Sequence, residues 1–226
     1  MDIFKDYGLN ITENMQKQFD RYTELLLEYN QKFNLTAIVN PDEIKIKHYL
    51  DSLTGAEFIG ENANVIDVGS GAGFPAIPLK IYRNDLKITM LDSLNKRVNF
   101  LNLVVKTLGL SDANAVHFRA EDAAKTELRE SFDFAVARAV ADMAVLSEYT
   151  LPFIKPGGKL IAYKGDVDEE LKNAERAINI LGGKLEKVNK FTLPDGSKRS
   201  IIIVEKVAKT PVKYPRGQNK PRINPL

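Results

Sequence analysis

The stretch Asn64-Val65-Ile66-Asp67-Val68-Gly69-Ser70-Gly71-Ala72-Gly73-Phe74-Pro75 decides how the chain is read. Val65 to Val68 is a short apolar run rich in β-branched residues, the pattern of a buried strand. Glycines follow at alternate positions. Residues 75–82 then read as a helix whose prolines sit in its first turn, where a missing N–H costs least. Strand, glycine turn, helix is the geometry in which a cofactor lies on backbone and meets a helix N-terminus.

The dinucleotide fingerprint is G-x-G-x-x-G. Gly69 and Gly71 fit its first two glycines, but Phe74 stands where the third should allow close helix–strand packing. No Gly-Lys-Ser/Thr follows, so the turn is not a P-loop. What remains, Asp67-x-Gly69-x-Gly71-x-Gly73, resembles the first motif of class I methyltransferases, which bind S-adenosylmethionine. A plain tight turn is the bland alternative, and three glycines behind an acidic strand end weigh against it.

The 226 residues suffice for one α/β domain with an extension. The absence of cysteine excludes disulfides, thiolate metal sites and thiol nucleophiles, and with them the pyrimidine carbon-5 methyltransferases. No run approaches the roughly 18 apolar residues of a membrane span, and the N-terminus lacks a basic-then-apolar leader pattern, which predicts a cytoplasmic protein. Net charge is +2, unevenly placed. Six bases and no acid follow Glu205, while the rest of the chain carries 26 bases against 30 acids. A basic, proline-rich end predicts an extended arm facing a polyanion, with a solvated terminus as the alternative.

Residues 12–33 place Phe19, Tyr22, Leu26, Tyr29 and Phe33 on one helical face, with Thr12 as cap. A second helix starts at Pro41-Asp42-Glu43 and runs through Leu53. From Val65 onward strands alternate with helices: strands near 65–68, 88–91, 113–118, 132–137 and 159–164, and helices over 95–108, 143–154 and 168–181. The fifth strand is entered through the turn Lys155-Pro-Gly-Gly158, and Pro194-Asp195-Gly196 joins a closing hairpin, 184–193 with 200–206. The pattern predicts an α/β fold, a Rossmann-like class I methyltransferase sheet, mostly parallel with one antiparallel edge strand, under an N-terminal helical cap. The divisions are a cap over 1–60, a core over 61–208 and a tail over 209–226.

Ligands of open parallel sheets bind beyond the carboxyl ends of the strands. Backbone N–H groups of the Gly69–Gly73 turn can receive the cofactor's carboxylate, and Asp67 can face its cationic end or cap the helix. Asp92, with Ser93 and Leu94, ends the second strand at the distance expected of a ribose-binding acid, leaving Ser93 or Asn95 to cap the helix that follows. After the third strand, Glu121 and Asp122 compete for the adenine amino group. The fourth ends in Ala137-Arg138-Ala139-Val140 and lacks the Asp/Asn-Pro-Pro-Tyr/Phe run that holds an exocyclic amine. A target needing no amine activation is therefore favoured. Ring nitrogen 7 of guanine fits, with Arg138 and Lys164 available to orient it. Arg138 could instead pair with Asp67 or Glu121. His48, Asp51 and Ser52 share a helix face, and two histidines in the whole chain make a zinc site improbable.

Together these residues resemble the bacterial small-subunit (16S) ribosomal RNA guanine-7 methyltransferases, the glucose-inhibited division protein B family. The matches are Asn34-Leu35-Thr36, His48-x-x-Asp51-Ser52, Asp67 through Pro75 with Ile77-Pro78-Leu79, Lys96-Arg97, Ala120-Glu121, Arg138-Ala139-Val140, Lys155 to Gly158, Lys164-Gly165 and Tyr214-Pro215-Arg216. The resemblance implies a cytoplasmic enzyme that methylates a guanosine in the decoding-region loop of 16S ribosomal RNA, as naked RNA, in the small subunit or in its assembly intermediate; a monomer is expected. It implies cofactor contacts from Gly69, Phe74, Asp92 to Leu94, Ala120, Glu121 and Arg138. Asn34, Thr36, His48 and Asp51 would border the target base, and Arg199, Lys213 and Arg216 would meet RNA phosphate. The tail departs from the family's usual ending after Arg216. A small-molecule methyltransferase and a non-catalytic RNA-binding or assembly factor are the alternatives.

Overall fold

A computed structural model describes residues 3–226; Met1 and Asp2, at the start of the segment read as leaderless, lie outside the described residues. The first long element, α1 (Glu13–Phe33), buries Phe19, Tyr22, Leu25 and Leu26 along one stripe. Thr12 caps it by accepting the Met15 N–H, and Asn34, in the left-handed region at φ 49°, ends it. The next helical stretch begins at α2 (Pro41–Ile44), where the Asn40 side chain caps two N–H groups. It widens to a π-helical segment, Lys45–Leu50, and closes in α3 (Asp51–Leu53). The wider turn, a feature often found at functional sites, carries His48 into the interior beside Asp51 and Ser52.

The core alternates as expected: β1 (Asn64–Val68), α4 (Ala76–Tyr82), β2 (Lys87–Asp92), α5 (Asn95–Leu108), β3 (Ala113–His117), a short α6 (Ala120–Ala123), β4 (Phe132–Arg138), α7 (Met143–Thr150), β5 (Ile154–Lys164), α8 (Asp168–Ile180), β6 (Gly183–Thr192) and β7 (Lys198–Lys206). The seven strands are ordered β3-β2-β1-β4-β5-β7-β6. β1 to β5 run parallel, and β7 pairs antiparallel with both β5 and β6. One apolar cluster fills the face under α1, α4 and α5, and a second fills the face under α7 and α8.

Three expectations need correction. Helix α7 stops at Thr150 and passes through a 3-10 turn, Leu151–Phe153, because Pro152 cannot continue the α-helical ladder. Lys155-Pro-Gly-Gly158 is not a turn before β5 but part of it, bulged against β4; a Cβ on Gly158 would lie 2.2 Å from the Asp133 carbonyl oxygen. The C-terminal segment is not simply extended. It folds back, buries Thr210, Tyr214 and Pro221, and ends in a short helix, α9 (Lys220–Ile223).

Candidate active site

The glycine turn after β1 is closed on itself. The Gly69 and Ser70 N–H groups donate to the Leu91 carbonyl at 2.8 and 3.1 Å, and those of Gly73 and Phe74 donate to the Ser70 carbonyl. The Gly71 N–H donates to Asp92 at 2.9 Å. The Gly69, Ser70 and Gly71 amides thus hold the turn to β2, and those of Gly73 and Phe74 close it on Ser70. Two glycines are required by packing. A Cβ on Gly69 (φ 77°) would lie 2.9 Å from the Val140 side chain, and one on Gly73 (φ 106°) would lie 2.7 Å from the Tyr22 hydroxyl.

Asp67 is sealed beneath this turn, wholly buried, and its carboxylate accepts no hydrogen bond of ordinary geometry. Burial raises its pKa to about 7, against weaker pulls from the Ser70 hydroxyl and the Ala76 N–H. It therefore does not open onto the cleft in which the cofactor's cationic end was expected.

That cleft lies where the strand ends meet. Gly69, Asp92, Ser93, Ala120 and Glu121 line it, with Arg97, Phe118, Arg119, Ala139, Val140, Tyr149, Asn219 and Arg222. Asp92 is buried. It accepts from the Gly71 and Leu94 N–H groups and meets Arg97 at 3.5 Å. Leu94, with no side-chain cap, begins α5; neither Ser93 nor Asn95 serves. Glu121 is buried and paired with Arg119 at 2.9 Å, while Asp122 faces solvent beside Lys125. Oδ2 of Asp92 takes both the Gly71 N–H and Arg97, whereas Oδ1 accepts only from the Leu94 N–H and keeps a lone pair for a further donor.

A second cleft, on the cap side, is lined by His48, Asp51, Arg138, Lys164 and Arg199 together with Ile38, Lys47, Ala139, Tyr163 and Gly165. Its lining carries one carboxylate, Asp51, among the cations Lys47, Arg138, Lys164 and Arg199. Asp51 is buried and accepts from Arg138 at 3.0 Å and from Arg199 at 3.2 Å. Arg138 also donates to the Lys47 carbonyl and reaches His48 Nδ1, both at 3.0 Å. Nδ1 also lies 3.2 Å from the Lys47 carbonyl, and Nε2 lies 2.9 Å from the Thr36 hydroxyl, so both ring nitrogens are engaged. Burial first, and Arg138 second, depress the His48 pKa to about 3, so the ring is neutral. Phe74 is buried behind this set, stacked on His48 with 4.2 Å between ring centroids and lying 4.9 Å from the Arg138 guanidinium.

The structure thus divides the expected residues. Gly69, Asp92, Ser93, Ala120 and Glu121 meet in the first cleft, whereas Asp67, Gly71, Gly73, Phe74 and Leu94 do not line it, and Phe74 stands behind the second. Arg138 belongs to the second cleft and pairs with Asp51, not with Asp67 or Glu121. Lys164 donates at 2.5 Å to Glu170 and to the Ala141 carbonyl, so its ammonium is engaged. Asn34 is exposed at the end of α1, away from both clefts. Arg216 is bound through its backbone and guanidinium to the buried Glu148, at 2.7 Å in each case, and Arg199 is turned toward Asp51. Lys213 is exposed. Sequence reasoning missed Tyr149, Asn219 and Arg222. It missed Ala139 as well, whose left-handed φ of 57° carries the chain past both clefts. No spacing marks these residues, because the tail and α7 meet the cleft through tertiary packing.

Comparison with known proteins converges on one family. The family model rRNA small subunit methyltransferase G matches residues 15–202. Ribosomal RNA small subunit methyltransferase G of Desulforamulus reducens is 49% identical, over 98% of this chain and 95% of that protein; the Alkaliphilus metalliredigens protein of the same name is 48% identical over the same shares. Among solved structures, a SAM dependent methyltransferase from Aquifex aeolicus matches with a TM-score of 0.54 at 20% identity, covering 73% of this chain and 93% of that one. M. jannaschii TYW2 in complex with AdoMet matches at 0.57 and 17% identity, covering 70% and 75%. At these identities the structural matches speak to the fold, a class I methyltransferase sheet. The sequence matches settle the rest: this chain belongs to the rRNA small subunit methyltransferase G family.

Proposed function

We propose that this enzyme transfers a methyl group from S-adenosylmethionine to ring nitrogen 7 of a guanosine in the decoding-region loop of 16S ribosomal RNA, acting as a cytoplasmic monomer on the small subunit or its assembly intermediate. The observation that carries the reading is Ala139, which lines both clefts, so a methyl donor in one adjoins a base in the other. The first cleft fits S-adenosylmethionine. Asp92 and Glu121 offer buried carboxylates for ribose hydroxyls and the adenine amino group, and the missing side chain of Gly69 leaves the room that Val140 borders. When bound, the cofactor supplies an electrophilic methyl on a sulfonium.

The chain's own residues then orient the target. Nitrogen 7 of guanine has a free lone pair at neutral pH, so no side chain need take a proton. A neutral His48 of low basicity, both ring nitrogens engaged, and an Arg138 fixed by Asp51 suit that task, because they form a rigid wall without acid–base chemistry. The cap over 1–60 supplies the base cleft's outer wall, the core over 61–208 supplies most of the cofactor cleft, and residues 209–226 add Asn219 and Arg222 to that cleft, with Arg199 and the exposed Lys213 proposed to meet RNA phosphate. Lys164 and Arg216 act by holding Glu170 and Glu148. Incubating the purified protein with methyl-labelled S-adenosylmethionine and unmethylated small subunits tests this. Label recovered as 7-methylguanosine is expected. Cofactor binding without transfer would favour an assembly factor instead.

A further inference from the structure

The C-terminal segment, read from its charge as an RNA arm, is built into the cofactor cleft. Its first half is anchored in the core. Lys206, fully buried, donates to the Leu151 carbonyl and to the Thr210 hydroxyl. Thr210 donates to the Leu181 carbonyl and, through its N–H, to Glu130. Arg129 donates to the carbonyls of Thr210 and Tyr214 at 2.8 and 2.9 Å. The buried Glu148 of α7 holds Arg216. Such satisfied buried networks fix a segment's path. The path delivers Asn219 and Arg222 to the cleft wall.

Arg222 differs from the other two arginines of that cleft. Arg97 and Arg119 are held by Asp92 and Glu121, whereas Arg222 has no carboxylate partner among the described residues. It donates to the Val140 carbonyl at 3.1 Å and stands at the rim, exposed. It shares the lining with Tyr149, Arg119 and Glu121, the carboxylate proposed to take the adenine amino group. A guanidinium can both stack on a base plane and donate to its ring nitrogens.

We propose that Arg222, with Asn219, is a cofactor-binding residue that closes the adenosine end of the cleft, so that the C-terminal segment is part of the cofactor site. This rests on the cofactor reading above. By linkage, cofactor binding and docking of the segment then strengthen each other by the same factor.

Calorimetry with S-adenosylmethionine and with methylthioadenosine, which lacks the amino-acid half, tests the proposal. Arg222→Ala is expected to weaken both ligands by a similar factor, roughly tenfold, the size of one or two polar contacts. Asn219→Gly, which keeps the left-handed backbone, is expected to weaken both by a smaller factor. The melting temperature of the ligand-free variants should stay near wild type, and the exposed Lys209→Ala should leave both affinities unchanged. Added cofactor should slow trypsin cleavage after Arg216 in wild type and not in Arg222→Ala. Unchanged affinity in Arg222→Ala would overturn the proposal. So would loss of S-adenosylmethionine binding with methylthioadenosine spared, since that would place Arg222 at the amino-acid end. Failure of the wild-type protein to bind either ligand would instead refute the cofactor reading itself.

Discussion

The two clefts on either side of Ala139 are built on opposite plans. The cofactor cleft is made by strand ends and a turn whose Gly69, Ser70 and Gly71 amides hold it to β2. Its walls are positioned by backbone. The cap-side cleft is made by charged side chains from elements far apart in sequence: Asp51 from α3, Arg138 from β4 and Arg199 from β7. Its walls are positioned by one another. The first arrangement tolerates loss of a side chain better than loss of backbone freedom; the second fails when its shared carboxylate is removed.

The largest effect is therefore expected at Asp51. Asp51→Ala strands two guanidinium groups beside a buried site and should cost about 3–5 kcal/mol in urea unfolding. Methyl transfer should fall further than S-adenosylmethionine affinity. Equal falls would merge the two clefts into one functional unit. Next is Gly69→Ala, where the added methyl meets Val140 at 2.9 Å and φ is 77°. A cost of about 1–3 kcal/mol is expected from strain, with cofactor affinity lost more than in any other core-face alanine variant. Retained affinity would mean Val140 moves aside freely.

A pH experiment isolates Asp67. Its folded pKa is raised to about 7 from an ordinary 3.8, so between those values the folded state binds the extra proton. Its contribution to stability thus declines as pH rises from about 4 to about 7 and stays unfavourable above. Asp67→Asn should be more stable than wild type by about 2–4 kcal/mol at pH 8, an advantage that shrinks toward zero near pH 4. His48 runs the other way: its folded pKa near 3 lies below the ordinary 6.5, so it costs stability as pH falls through that range. An Asp67→Asn advantage that does not vary with pH would contradict the buried, unpaired carboxylate. Smallest is Lys213→Ala, with stability within about 0.5 kcal/mol. The slope of RNA affinity against salt should drop by about one, and an unchanged slope would remove Lys213 from the RNA surface.

The same contrast explains what was legible in the sequence. Local periodicity gave α1 and α5 almost residue for residue and the order of the strands, though not where β5 begins, because each is set by burial of a short repeating pattern. Phe74 was singled out by breaking the dinucleotide pattern; its place, stacked behind His48 and Arg138 rather than in the cofactor cleft, depends on how the cap meets the core. Arg216 and Lys164 read as free bases, since a charge run does not reveal that Glu148 and Glu170 wait beneath it. Arg222 lay in a divergent tail with no motif, and its position follows from the buried anchors at Thr210 and Arg216. Backbone-built features announce themselves along the chain, whereas features built by distant side chains do not.

The central claim is that the two adjoining clefts place a methyl on nitrogen 7 of one guanosine of small-subunit ribosomal RNA. Mass spectrometry of 16S ribosomal RNA nucleosides from cells lacking the protein tests it most directly. One 7-methylguanosine should disappear, return with the wild-type gene and stay absent with Arg138→Ala. Its persistence in the deletion strain would contradict the account.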